Sequence, residues 1–224
     1  FLSMLYMQNG RLLNDDGMLD VQTDEAEQAL QFLVDLVHEY EVAPSSAAQL
    51  KEAELGDLFV DGRIAMMGQW DYHFSRAENE EQSSIAGDVG FTVTPSWDAQ
   101  TDGKALGDFQ IMAINGSSEN IPAAKLFLDY MRSEQAHSNE FLLEGNNTLV
   151  KTVYDRAASK SEVDEEYLES HKELADMSIR ENFENMSKIV DDIGSQVQAA
   201  VANSKSVERA LADAQTDVDD TMGY

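Results

Sequence analysis

An α/β fold is predicted for this chain of 224 residues, because strand-length apolar runs are separated by segments with a helical period. Three observations carry the prediction. Apolar residues from Ala26 to Val37 recur every three or four positions; "DVGFTVTP", Asp88 to Pro95, alternates; and two long helical stripes fill the last third of the chain.

Taken in order, "LLNDDGMLDV", Leu12 to Val21, sets a turn signal at Asn14 to Gly17 between apolar runs and predicts a short hairpin or loop. Thr23 is placed to cap a helix whose first turn holds Asp24 and Glu25. Its buried stripe is Ala26, Leu30, Leu33 and Val37, and it ends before Pro44. A shorter helix is expected from Gln49 to Val60, closed by Asp61 and Gly62. "RIAMMGQW", Arg63 to Trp70, then reads as a buried strand. Glu78 to Gly87 is polar and reads as a loop, while Val89, Phe91 and Val93 share one face of the next strand. After a loop from Trp97 to Gly107, "DFQIMAING", Asp108 to Gly116, is expected to be a strand entering a turn. Asn120 and Pro122 open a helix through Met131 with Ala123, Ala124, Phe127, Leu128 and Met131 facing inward, and Ser133 starts another that Gly145 ends. Beyond "NNTLVKT" the pattern is helical: Ser161 with Asp164 resembles a capping box, Ile189, Ile193, Val197 and Val201 form one stripe, and Val207, Leu211, Ala214 and Val218 form the last. The C-terminal third is expected to pack on the sheet.

Composition narrows the function. The chain has 43 acidic against 15 basic residues, a formal net charge of −28. A field of that sign repels nucleic-acid phosphate and anionic lipid, so neither is an expected partner. Self-repulsion of this size is screened at about 1 M salt, where the Debye length falls to roughly 3 Å, and the chain reads as haloadapted. Cysteine is absent, which removes disulfides, thiol chemistry and cysteine zinc sites. No window reaches the roughly 18 uninterrupted apolar residues of a membrane-spanning helix. The opening "FLSMLYMQNG" has no initiator methionine, basic n-region or cleavage site, so the chain is expected to be a segment of something longer.

The usual signatures of catalysis and cofactor binding are missing. His38, His73, His137 and His171 have no zinc spacing, and surface positions are expected for all four. No G-x-S-x-G elbow, Walker A element or G-x-G-x-x-G turn is present, so no enzyme activity, cofactor or metal is expected. Adjacent carboxylates are frequent in so acidic a chain and read as solvated surface. What remains is "GQW", Gly68 to Trp70, at the end of an apolar run. A tryptophan there can lay its flat face on a sugar ring, with amides and carboxylates pairing the hydroxyls. Gln69, Asp71, Asp108, Asn146 and Asn147 are the candidates for that pairing. Core filling and ligand contact both remain open for Trp70.

The order of "QNGRLLNDDG", "EAEQALQFLVDLV", "LFVDGRIAMMGQW", "GDVGFTVTPS", "ALGDFQIMAINGSSENIPAAKLFLDYMRSEQA" and "SVERALADAQTDV" resembles the extracellular solute-binding protein family 1, the maltose-binding-protein-like group. The resemblance implies a periplasmic-binding-protein-like type II fold, two-lobed and hinged, with the first lobe largely missing from this chain. Residues 1–100 would open the second lobe, 101–150 would return to the first, and 151–224 would supply helices of the second. Trp70 would fall on the tryptophan that stacks on the sugar, Gly107 and Asp108 on a glycine pair, and Asn146 and Asn147 on a turn lining the cleft. A further stacking aromatic would fall near Val190, with Phe183 as its substitute. The function implied is capture of a sugar or oligosaccharide for an ABC importer. The protein would be monomeric, lie outside the cell, be anchored through a lipoprotein segment upstream, and hand its solute to permease subunits. Anionic ligands would need Arg11 or Arg63 at the cleft. A secreted glycoside hydrolase using two carboxylates and a solute-sensing domain of a signalling protein are the alternatives.

Overall fold

Capping side chains decide where several helices begin. Thr23 accepts the Ala26 amide at 3.1 Å to start α2 (Asp24–His38), following the short α1 (Leu2–Met7). Ser133 accepts the Ala136 amide at 3.2 Å to start α6 (Glu134–Asn139), and Ser206 accepts the Arg209 amide at 3.2 Å to start α10 (Val207–Met222). The remaining elements are α3 (Glu52–Val60), α4 (Tyr72–Ala77), α5 (Ile121–Met131), α7 (Lys151–Ser159), α8 (Glu165–Met177) and α9 (Met186–Val201), with two two-residue strands, β1 (Ala105–Leu106) and β2 (Ser178–Ile179). This computed structural model describes residues 1–101, 103–108, 111–144, 148, 150–159 and 165–224. The expected capping box at Ser161 and Asp164 lies outside the described residues, as do Asn146 and Asn147.

The chain divides into two compact units. The first comprises Phe1–Lys51, Thr94–Gly107 and Ser178–Tyr224; the second comprises Glu52–Val93 and Asp108–Met177. The chain changes unit at Lys51, Val93, Gly107 and Met177.

In the first unit the helical stripes meet as their periods require. Ala26, Ala29 and Leu30 of α2 pack with Ile189 and Ile193 of α9 and with Ala210, Leu211, Ala214 and Val218 of α10. The expected turn between Leu12 and Val21 forms: Asn14 Oδ1 accepts the amides of Asp16 and Met18, Gly17 takes φ +76°, and Leu13 bridges Leu19 in antiparallel fashion. Glu181, just past β2, ties three parts of the unit together. Its carboxylate accepts the Tyr6 hydroxyl at 3.0 Å and the amides of Leu12 and Leu13 at 2.8 and 2.9 Å. Burial, reinforced by this carboxylate, pushes the Tyr6 hydroxyl well above the ordinary phenol range.

The second unit departs further from expectation. Its core is aromatic: Phe141, Tyr154 and Tyr167 are buried with Val153, Ala157 and Leu168, and Phe74 and Phe91 pack against them. Residues 64–70 and 89–95 are not strands, and 111–115 has no regular structure either. A strand needs a neighbour for its amides and carbonyls, and β1 with β2 is the one ladder among the described residues. The last third therefore packs helix on helix rather than on a broad sheet. The inward face expected on α5 is also unburied. The helix contains no buried residue: Phe127 is 57 % exposed, and Ala124, Leu128 and Met131 are only partly covered by the described residues.

Candidate functional site

Trp70 ends an apolar segment and stands just before Asp71, the N-cap of α4. Its side chain is 37 % exposed. Such exposure leaves a partly open indole surface, the property a stacking contact needs. The flanking residues hold this corner through local bonds. Gln69 Oε1 accepts the Trp70 amide at 3.0 Å, and its Nε2 donates to the Glu52 carbonyl at 3.4 Å. Asp71 caps α4 by accepting the Tyr72 amide at 3.0 Å. The Tyr72 hydroxyl donates to Glu52, which lifts the phenol above its ordinary range.

The rest of the corner was not signalled by sequence spacing. His73 is 3 % exposed, stacks on Tyr72 with ring centroids 4.4 Å apart, and lies 3.5 Å from a Glu52 oxygen. Its position depends on Gly56: a Cβ there would stand 2.6 Å from the imidazole Cε1. Burial holds the His73 imidazole below its ordinary range, although the Glu52 carboxylate pulls the other way. His171 is buried completely against Phe91 and Tyr167. The expectation of surface histidines thus fails at 73 and 171, because both rings fit notches made by residues distant in the chain.

The other described residues among those predicted divide between the two units. Gly107 belongs to the first unit, where its amide donates to the Ile179 carbonyl at 2.8 Å and a Cβ would come within 3.2 Å of Ser178. Its need is therefore close strand packing. Phe183 packs against the core of that same unit. Trp97, also in the first unit, sets its ring edge-on to Phe32 at 5.1 Å. Asp108 belongs to the second unit. Among the described residues no group of three or more histidine, aspartate or glutamate side chains is arranged to hold a metal ion, and no helix is long and apolar enough to cross a membrane.

Relatives place this architecture. Residues 1–138 match the family described as bacterial extracellular solute-binding protein. A Deinococcus radiodurans protein described as an ABC transporter-binding protein is 27 % identical over 145 residues, 65 % of this chain and 34 % of its own length. The maltose-bound MalE3 of T. maritima superimposes with a TM-score of 0.84 at 24 % identity, over 98 % of this chain and 56 % of the other. A ribitol-bound ABC transporter solute-binding protein of Agrobacterium radiobacter gives 0.80 at 23 %, over 97 % and 55 %. The maltose-maltodextrin binding protein of Alicyclobacillus acidocaldarius gives 0.73 at 18 %, over 97 % and 58 %. The chain spans a little over half the length of these structures and about a third of the curated relative. It belongs to the bacterial extracellular solute-binding protein family and has the periplasmic-binding-protein-like type II fold.

Proposed function

We propose that this chain is part of an ABC-importer binding protein that captures a sugar, an oligosaccharide or a related polyol, with Trp70 as its stacking surface. The single observation that carries the reading is the partly open indole of Trp70, at the end of a glycine-containing apolar run, in a chain of this family. Maltose and ribitol in the structural relatives support this ligand class. Asp71 and Asp108, with Asn146, Asn147 and the Gln69 amide, are the proposed hydroxyl partners, because a buried hydroxyl left unpaired costs about 1–3 kcal/mol. In the whole protein, two lobes would close on the solute through contacts made only in the closed state. The protein would work outside the cell, anchored by an upstream lipoprotein segment, as a monomer that hands its solute to permease subunits. The net charge of −28 supports neutral over anionic solutes and a salt-rich working environment.

A thermal-shift screen of maltose, maltodextrins and ribitol against the complete protein in molar salt tests this reading. A ligand that binds the folded state raises its melting temperature. Stabilisation by a sugar or polyol is the expected result; stabilisation by none of them rejects the ligand class.

A further inference from the structure

Behind the exposed ring of Trp70, the next residue reaches into the interior of the same unit. Asp71 uses one carboxylate oxygen on the amide of Tyr72, while Oδ2 lies 4.0 Å from Nε2 of His171. The imidazole is completely buried, and the aspartate side chain is 16 % exposed. These two residues, a hundred positions apart in the chain, meet at the start of α4.

Hydrogen-bond chemistry determines one of the two ring protons. Nδ1 of His171 lies 2.9 Å from the carbonyl oxygen of Tyr167. A carbonyl only accepts, so Nδ1 carries hydrogen. In a neutral imidazole, Nε2 would then point a lone pair toward a carboxylate, acceptor against acceptor. A second proton on Nε2 turns that contact into an attraction between opposite charges with little water between them. Complete burial opposes that charge, as burial does at His73, and the aromatic rings around the imidazole offset part of this cost. Phe91 stacks on the ring with centroids 4.5 Å apart and planes 16° from parallel, Tyr167 lies at 4.0 Å, and Phe141 stands edge-on at 5.4 Å. Aromatic faces attract an imidazolium through their quadrupoles.

We propose that His171 is an imidazolium at neutral pH, paired with Asp71, and that this pair is the internal anchor of the corner that carries Trp70. Asp71 and His171 are positioning residues in this role: they fix where the apolar segment ends and α4 begins. Among the described residues, two phenols also lie around the ring. Tyr167 comes from α8, and Tyr154 from α7 packs against Phe141 and feels the charge of Asp71. Burial holds both phenols above their ordinary range, so they remain neutral while the histidine titrates. On the outer side of α8, Lys172 pairs with Glu169 at 2.8 Å. Phe91 and Phe141 bring only carbon. Asp71 is the carboxylate that faces Nε2, and the corner loosens as pH rises and the Nε2 proton leaves. This inference concerns how Trp70 is mounted and does not require that the ring meet a sugar.

Long-range ¹H–¹⁵N NMR of the full chain labelled with ¹⁵N-histidine tests it without any ligand. His171→Gln assigns the signal among the four histidines. In the unchanged protein at neutral pH, both ring nitrogens of His171 are expected at imidazolium shifts. Asp71→Asn keeps an oxygen for the Tyr72 amide but removes the charge, and is expected to lower the titration midpoint by about 1–3 pH units, the usual effect of an adjacent opposite charge. The Trp70 emission step, identified by its loss in Trp70→Phe, is expected to move with it. A neutral Nδ1–H ring in the unchanged protein at neutral pH overturns the proposal, as does a midpoint that Asp71→Asn leaves in place. Because the unchanged protein alone decides the first point, failure of a variant to fold does not obscure the answer.

Discussion

The two compact units solve burial differently. In the first, α2, α9 and α10 interlock a continuous aliphatic core, and Glu181 satisfies two backbone amides and a tyrosine hydroxyl at its edge. The second rests on an aromatic cluster around Tyr167, while large apolar side chains elsewhere on it stand open, among them Met66 at 87 % and Ile111 at 88 % exposure. The comparison teaches that a unit can be well packed around its helices and still lack the neighbours its extended segments were patterned for.

Core truncation should separate the units most strongly. Leu30→Ala removes a fully buried side chain of the first core and is expected to cost about 2–5 kcal/mol in chemical denaturation. By contrast Leu126→Ala on α5, 72 % exposed, should lie within about 0.5 kcal/mol of the parent. Equal losses at the two sites would break the comparison. A smaller effect is expected at the edge of the first core. Glu181→Ala strips the Leu12 and Leu13 amides and the Tyr6 hydroxyl of their acceptor. The expected loss is about 1–3 kcal/mol for an unsatisfied buried group, read from the shift in the urea midpoint, and no shift would show that water replaces the carboxylate freely.

The pH response sharpens the contrast further, with the smallest effect. Burial lowers the folded value of His73 below the ordinary 6.5, so below that pH the unfolded chain binds this proton more readily than the folded one. The contribution to stability is present above pH 6.5 and declines as pH falls through the folded value. Comparing melting temperatures of the parent and His73→Phe across the acid range should show a shallower slope in the variant. An unchanged slope would remove His73 as the cause.

Much of this architecture was legible in the sequence, since helices carry their period and caps locally. Thr23, Ser133 and Ser206 cap within three residues of their own position, and the stripes of α2, α9 and α10 face inward as spaced. The three expected strands were not legible in the same way: an apolar run such as Ile64 to Met67 states a tendency, but pairing depends on a partner. The α5 face fails for the same reason. At the candidate site, Trp70 and Asp71 could be singled out because they adjoin a glycine and an apolar run. His171 could not, because its relation to Asp71 exists only after α8 packs beside α4, and His73 became recognisable only through the notch at Gly56.

The functional account rests on the open face of Trp70, and isothermal calorimetry on the complete protein tests it most directly. With the sugar or polyol that stabilises the parent most, Trp70→Ala is expected to bind about tenfold more weakly or worse, a loss of about 1.4 kcal/mol, while circular dichroism shows the fold retained. Unchanged affinity in a folded Trp70→Ala protein would contradict the account and return that indole to a packing role.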